Sequence, residues 1–172
     1  IMNNDAELKS IVVWNPFVMQ TLRTRSDAKV LFDSTAIPEE IIDMVVVSKQ
    51  ALERTKGDAF ACAVIDAFYE VNKLLEDAEQ GDSTLVALGE KFSDLNLEDL
   101  KVVVQQTKFY KNPDEAKGLF MRADFRETIM PRVVDFCTSH DMVPSSPKIG
   151  YDAPDTQLNF TTAYIDMVQA GP

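Results

Sequence analysis

The chain's single histidine, His140, stands between Ser139 and Asp141. A hydroxyl, an imidazole and a carboxylate are the parts of a nucleophilic triad, in which the histidine takes the hydroxyl proton and the acid orients the ring. Three consecutive residues at a helix end point in different directions, so the trio reads instead as a helix C-terminus, with His140 against the negative end of the dipole. The two cysteines, Cys62 and Cys137, each lie in an apolar helical stretch without metal-ligand spacing. They read as buried, inert thiols, with a disulfide between them left open. There is no glycine-rich phosphate loop, Cys/His cluster or paired histidine. The residues support no catalysis and imply neither cofactor nor metal.

Carboxylates are more plentiful. Pairs such as Glu39-Glu40 and Glu76-Asp77 read as solvated helix faces. Glu40 and Asp43 differ because they flank the entry to the apolar run 44–47, where a carboxylate beside a cleft accepts hydrogen bonds from a ligand amine. The most informative stretch is IVVWNPFV, residues 11–18. Asn is a preferred N-cap and Pro a preferred first helical residue, so Asn15-Pro16 predicts a helix immediately after a strand. In open α/β sheets ligands bind beyond the carboxyl ends of strands, where helix N-termini offer free N–H groups. Trp14 at that edge supplies a flat apolar wall and an indole donor. A tryptophan that plugs the core beneath a helix start satisfies the same local residues, and both readings stand.

The elements that would position these groups follow from pattern. Runs 10–14, 29–33 and 41–48 are β-branched and strand-like, with a short helix over 15–24 between the first two. Beyond Ser48 the pattern is helical. Gly57-Asp58 ends one short helix and starts the next, in which Phe60, Val64, Phe68, Val71, Leu75 and Ala78 form an apolar stripe. A turn at 81–83 leads into a helix to about Phe92; Asn96 and Asn112 cap two more. Asp124 with Glu127 resembles a capping box for a helix reaching His140, kinked or restarted at Pro131. Residues 144–157, with three prolines and two serines, read as an irregular crossing. A last helix spans 162–169, before Gly171-Pro172. The class is α/β, with strands in the first quarter and helices afterwards.

Of the 172 residues, 45% are hydrophobic and 26% charged, with a formal net charge of -11. That acidity, without a basic cluster, argues against nucleic acid and against direct binding to anionic lipid. No apolar run approaches the roughly 18–20 residues of a membrane span. The start at Ile1-Met2 suggests a piece whose targeting segment lies upstream.

Taken in order, IVVWNPFV, KVLFDST and AIPEEIIDMVVVSKQAL resemble the solute-binding proteins of ABC importers for nitrate, sulfonates, taurine and thiamine-pyrimidine precursors. In that family a strand ending in Trp-x-Pro precedes a Lys-Val-Leu-Phe-Asp-Ser strand, then an Ile-Pro segment and an apolar strand entering Ser-Lys-x-x-Leu. FYEVNKLLED, LNLEDLK, DFCTSHDMV and QLNFTTAYIDMVQAG fit as well. The resemblance spans nearly the whole chain but only the C-terminal half or so of such a protein. It implies a periplasmic-binding-protein-like α/β fold, helix-rich after a few N-terminal strands. Residues 1–41 would end the second lobe, 42–48 would be a crossing strand, and 49–172 would be the helical C-terminal part of the first lobe. The ligand wall maps onto Trp14, Asn15 and Phe17, with Ser34 after the second strand and Glu40 and Asp43 near the hinge. The implied function is capture of a small organic or anionic solute in an inter-lobe cleft for delivery to permease subunits. A zwitterion such as taurine would suit both a helix N-terminus and the carboxylates.

The implied location is periplasmic or extracellular and membrane-associated, reaching the membrane only through the permease or an upstream lipid anchor. Without the rest of the sheet, an oligomer or swapped assembly is expected to hide the apolar faces. The alternatives are an enzyme of thiamine-pyrimidine synthesis sharing the fold, or a ligand-sensing domain. The enzymes rely on a cysteine-rich motif and a reactive histidine; here Cys62 and Cys137 are isolated and His140 stands alone.

Overall fold

The computed structural model describes residues 7–153 and 155–171. The expectations for residues 1–6, for Pro154 within the crossing and for the terminal Pro172 lie outside them. The chain divides into two compact units, residues 1–36 with 71–109, and residues 37–70 with 110–172. Both are mainly helical, and one parallel strand pair among the described residues makes the class mixed α/β.

The first unit holds α1 (Phe17–Thr24), a 3₁₀ turn (Ser34–Ala36), the end of α3 (Gly57–Glu76), α4 (Gly81–Phe92) and α5 (Leu97–Gln106). α5 starts where the sequence places it: the Asn96 side chain accepts from Asp99 N–H at 3.0 Å, and Glu98 and Asp99 sit in the first turn. Ahead of α4, Asp77 Oδ1 accepts from the Glu79 and Gln80 N–H groups, both at 2.9 Å. Asp77 is therefore a turn-forming acid rather than part of a solvated helix face. The two helices pack through Leu85, Gly89 and Leu100, all buried. Lys101–Asp82 (2.9 Å) and Arg23–Asp99 (2.6 Å) add ion pairs between helices.

The second unit holds α2 (Lys49–Leu52), the start of α3, α6 (Pro113–Met121), a π-helical stretch (Phe125–Ile129), α7 (Met130–Ser139), β1 (Ile149–Tyr151), β2 (Leu158–Phe160) and α8 (Ala163–Ala170). Asn112 caps α6 through Glu115 N–H at 3.0 Å, with Pro113 at the first helical position. Pro131 lies in the first turn of α7, which continues the π-helical stretch without a break, Ile129 and Met130 keeping helical dihedrals; the irregularity expected there is that stretch rather than a restart. Asp124 does not cap; its carboxylate pairs with Arg122, which also holds that carboxyl below its ordinary pKa. The core is the cluster Leu119, Phe125 and Phe160, with Phe125 fully buried. The Phe125 and Phe160 rings meet edge to face at 5.3 Å, a geometry that aligns the positive edge of one with the negative face of the other.

Three expected strands do not form. Runs 10–14, 29–33 and 41–48 carry no ladder, and much of their apolar surface faces solvent: Val12 is 90% exposed, Leu31 83% and Val46 77%. A β-branched run becomes a strand only when another backbone takes its N–H and C=O groups, and these runs have no such partner strand among the described residues. The ladder forms instead where an irregular crossing was expected. Ile149, Gly150 and Tyr151 register with Leu158, Asn159 and Phe160. Among the described residues the order is thus reversed: strands near the end of the chain, none in its first quarter.

The stripe on α3 is also corrected. Phe60 and Phe68 are exposed, whereas Gly57, Ala61 and Tyr69 are buried. Small residues let a neighbour approach closely. Near them α8 comes in, with the Tyr164 hydroxyl donating to Asp58 at 3.1 Å and the Cys62 thiol 3.9 Å from the Tyr164 carbonyl.

Candidate functional site

Trp14 ends the first apolar run and stands immediately before α1, its side chain 77% exposed. It does not plug a core. The first-turn amides of α1 turn back onto its carbonyl: Phe17 N–H donates at 2.9 Å and Val18 N–H at 3.4 Å. Asn15 was expected to cap this helix, but its side chain makes no cap hydrogen bond and its Oδ1 is buried without a partner. The helix begins at Phe17, one residue later than expected, with Pro16 at the cap position although its dihedrals are helical. With two of the first amides taken by Trp14, α1 offers an anion less than a free N-terminus does. Phe17 is exposed beside Trp14 in sequence, so the segment displays two aromatic side chains.

Ser34 is exposed and opens the 3₁₀ turn. The preceding Asp33 carboxylate accepts from the Thr35 hydroxyl and the Thr35 N–H, which holds its pKa below the ordinary range. Trp14, Asn15, Phe17 and Ser34 belong to the first unit, and Glu40 and Asp43 to the second. Asp43 is exposed. Glu40 is half-buried and pairs with Arg132, so a ligand amine there competes with a guanidinium.

Sequence reasoning missed Glu39. It has φ 60°, is half-buried, accepts from the Tyr110 hydroxyl at 3.0 Å and pairs with Arg122. Neither Glu39 nor Glu40 lies on a solvated helix face; the segment is not helical and both acids are engaged. Burial first, then the hydrogen bond to Glu39, pushes the Tyr110 phenol up to about 12. The Arg122 guanidinium is raised above its already high ordinary value, first by Asp124 and then by Glu39.

Ser139, His140 and Asp141 form a helix stop. His140 is the C-cap of α7 and Asp141 takes the left-handed conformation, φ 55°. Met142 N–H returns to the Cys137 carbonyl (2.9 Å) and Asp141 N–H to Thr138 (3.3 Å), the double bond pattern of a Schellman stop. His140 Nδ1 lies 2.9 Å from the Phe136 carbonyl and 3.0 Å from Ser139 Oγ. A nitrogen that donates to the carbonyl has no lone pair for the serine proton, so the contact does not activate Ser139. Cys62 and Cys137 are both free and half-buried rather than fully enclosed. Among the described residues no cluster of three or more His, Cys, Asp or Glu could hold a metal ion, and no helix is long and apolar enough to cross a membrane.

A half-open depression of about 420 Å³ lies between the end of α4 and the start of α5, lined by Val86, Glu90, Asp94, Asn96 and Leu100 among others. It contains none of the six candidate residues. Comparison with protein-family models, curated proteins and solved structures found no match.

Proposed function

We propose that this chain is the C-terminal portion of the solute-binding component of an ABC importer, with a periplasmic-binding-protein-like fold. It captures a small organic or anionic solute of the sulfonate, taurine, nitrate or pyrimidine type and delivers it to permease subunits. The protein works outside the cytoplasmic membrane, tethered through the permease or a lipid anchor. The observation that carries the reading is Trp14, held at the start of α1 with its ring exposed and Phe17 exposed nearby in sequence, inside the ordered series IVVWNPFV, KVLFDST, AIPEEIIDMVVVSKQAL. A large exposed aromatic with a fixed backbone is what a ligand-binding wall needs, because little ordering entropy is lost on contact. Trp14, Asn15 and Phe17 are the ligand contacts, with Ser34 a further one and Glu40 and Asp43 secondary.

Trp14 is the only tryptophan of these 172 residues, so the difference in emission between the full-length protein and its Trp14→Phe variant reports this site. The full-length protein carrying this chain is titrated with taurine, alkyl sulfonates, nitrate, amines and pyrimidines, following emission and thermal midpoint. The expected result is a saturable emission change with one class, accompanied by stabilisation that Phe17→Ala weakens. If no class changes either signal, the reading fails.

A further inference from the structure

Residues 37–48 run to the cap of α2 without regular secondary structure, and among the described residues the backbone of 41–47 makes no hydrogen bond. Side chains hold this segment to the second unit. Ile42 and Met44 pack against the Leu119–Phe125–Phe160 cluster, while Ile41, Asp43 and Val45 face solvent. That alternation is the one an extended chain lying on a surface produces. Just upstream, Glu39 pairs with Arg122 and Glu40 with Arg132. Arg122 is itself oriented by Asp124, with Nε 2.9 Å from Oδ1, and Tyr110 adds its hydroxyl to Glu39 at 3.0 Å. Glu39 sits at φ 60°, a conformation that residues with a Cβ rarely adopt unless their surroundings impose it. At the other end Ser48 Oγ accepts from Ala51 N–H at 3.2 Å and fixes the entry to α2.

We propose that residues 39–47 form a releasable strap over the aromatic cluster, fastened at Glu39 and pivoting at the cap of α2. A segment without backbone hydrogen bonds opens by giving up two half-buried apolar contacts and its ion pairs, far less than unfolding the unit requires. Glu39 is the principal fastening because it alone joins three elements: the strap, Tyr110 ahead of α6 and Arg122 after it. Opening uncovers the part of the Leu119–Phe125–Phe160 cluster that Ile42 and Met44 cover, so the strap controls access to the aromatic core.

The chain's methionines provide the test. Met44 packs from the strap onto the cluster, Met130 packs against the same cluster from α7, and Met121, Met142 and Met167 are exposed references. Each is followed by mass spectrometry during peroxide oxidation of the whole chain. Glu39→Gln keeps the volume and removes the charge. Losing a charge-assisted hydrogen bond raises the opening frequency roughly tenfold or more. Met44 oxidation therefore climbs toward the Met142 rate, while Met130 stays slow. Tyr110→Phe, which removes only the hydroxyl, gives a smaller rise at Met44. If Met44 keeps its wild-type rate relative to Met142 in both variants, the fastening is refuted. If Met44 and Met130 accelerate together, the whole unit has loosened and there is no strap.

Discussion

Replacing Gly89 by alanine adds one methyl group at the α4–α5 contact, and two effects of opposite sign compete. In a helix interior alanine is favoured over glycine by about 1 kcal/mol, from reduced unfolded-state freedom and better propensity. Against this, a Cβ built on Gly89 lies 2.4 Å from Leu100 Cδ1 and 3.3 Å from Cδ2. Carbon atoms prefer roughly 3.5–4.0 Å, so the overlap exceeds 1 Å, and Leu100 is itself buried. Overpacking of this kind costs about 1–3 kcal/mol. The net expectation is destabilisation by up to about 2 kcal/mol. Gly118 in α6 is the control, since an added Cβ meets nothing within 4 Å. Gly118→Ala keeps only the propensity term and is expected to stabilise by about 0.5–1 kcal/mol. Urea denaturation by circular dichroism, comparing midpoints at constant slope, reads both signs. Adding Leu100→Ala to Gly89→Ala removes the obstructing methyls, so against a Leu100→Ala background the glycine substitution becomes neutral or stabilising. Equal shifts for Gly89→Ala and Gly118→Ala, or no coupling to Leu100, would refute the packing argument.

Three further expectations concern the second unit and the acid limb of stability. Phe125→Ala deletes a fully buried ring in contact with Phe120, Tyr151 and Phe160 and is expected to cost about 3–5 kcal/mol, read as loss of cooperative unfolding or a large fall in midpoint. All four tyrosines have raised phenol pKa values, and Tyr110, at about 12, is expected to titrate last. Its folded pKa lies above the unfolded value near 10, so its contribution to stability is intact below pH 10 and disappears as pH rises toward 12. Ultraviolet titration should lose its most alkaline component in Tyr110→Phe. Asp27, hydrogen-bonded by Arg25, is lowered to about 2 from 3.8, so its contribution is present above 3.8 and lost as pH falls through 2. Carboxyl chemical shifts check this, and an Asp27 midpoint of 3.8 or above would contradict the pairing.

What could be read from the sequence depended on how far away each residue's partner lies. Asn96 and Asn112 were legible because a cap bonds an amide three residues on, inside the reader's window. Pro131 marked an irregular helix from its own position, and the irregularity is the π-helical stretch just ahead of it rather than a restart. The apolar runs 10–14, 29–33 and 41–48 were legible as hydrophobic but not as strands, because a strand is a property of two segments. Glu39 carried no local signal at all: its partners are 71 and 83 residues away, so its neighbours could only suggest a solvated acid. The candidate wall shows the same division. Trp14 could be placed at a helix start from its neighbours, whereas whether its ring was buried depended on residues that no window around it contains.

The α3 stripe carries the point into the energetics. Phe60, Val64 and Phe68 recur at helical spacing, and periodicity alone assigns them to the core. The structure buries Gly57, Ala61 and Tyr69 instead, with Phe60 and Phe68 outward. Burying a phenylalanine fully is worth roughly 1.5–3 kcal/mol, so two exposed ones forgo a large gain unless something covers them. Periodicity therefore identifies the face with most to bury, while the residues that touch a neighbour are set by how closely that neighbour can come. On α3 the close approach belongs to glycine and alanine.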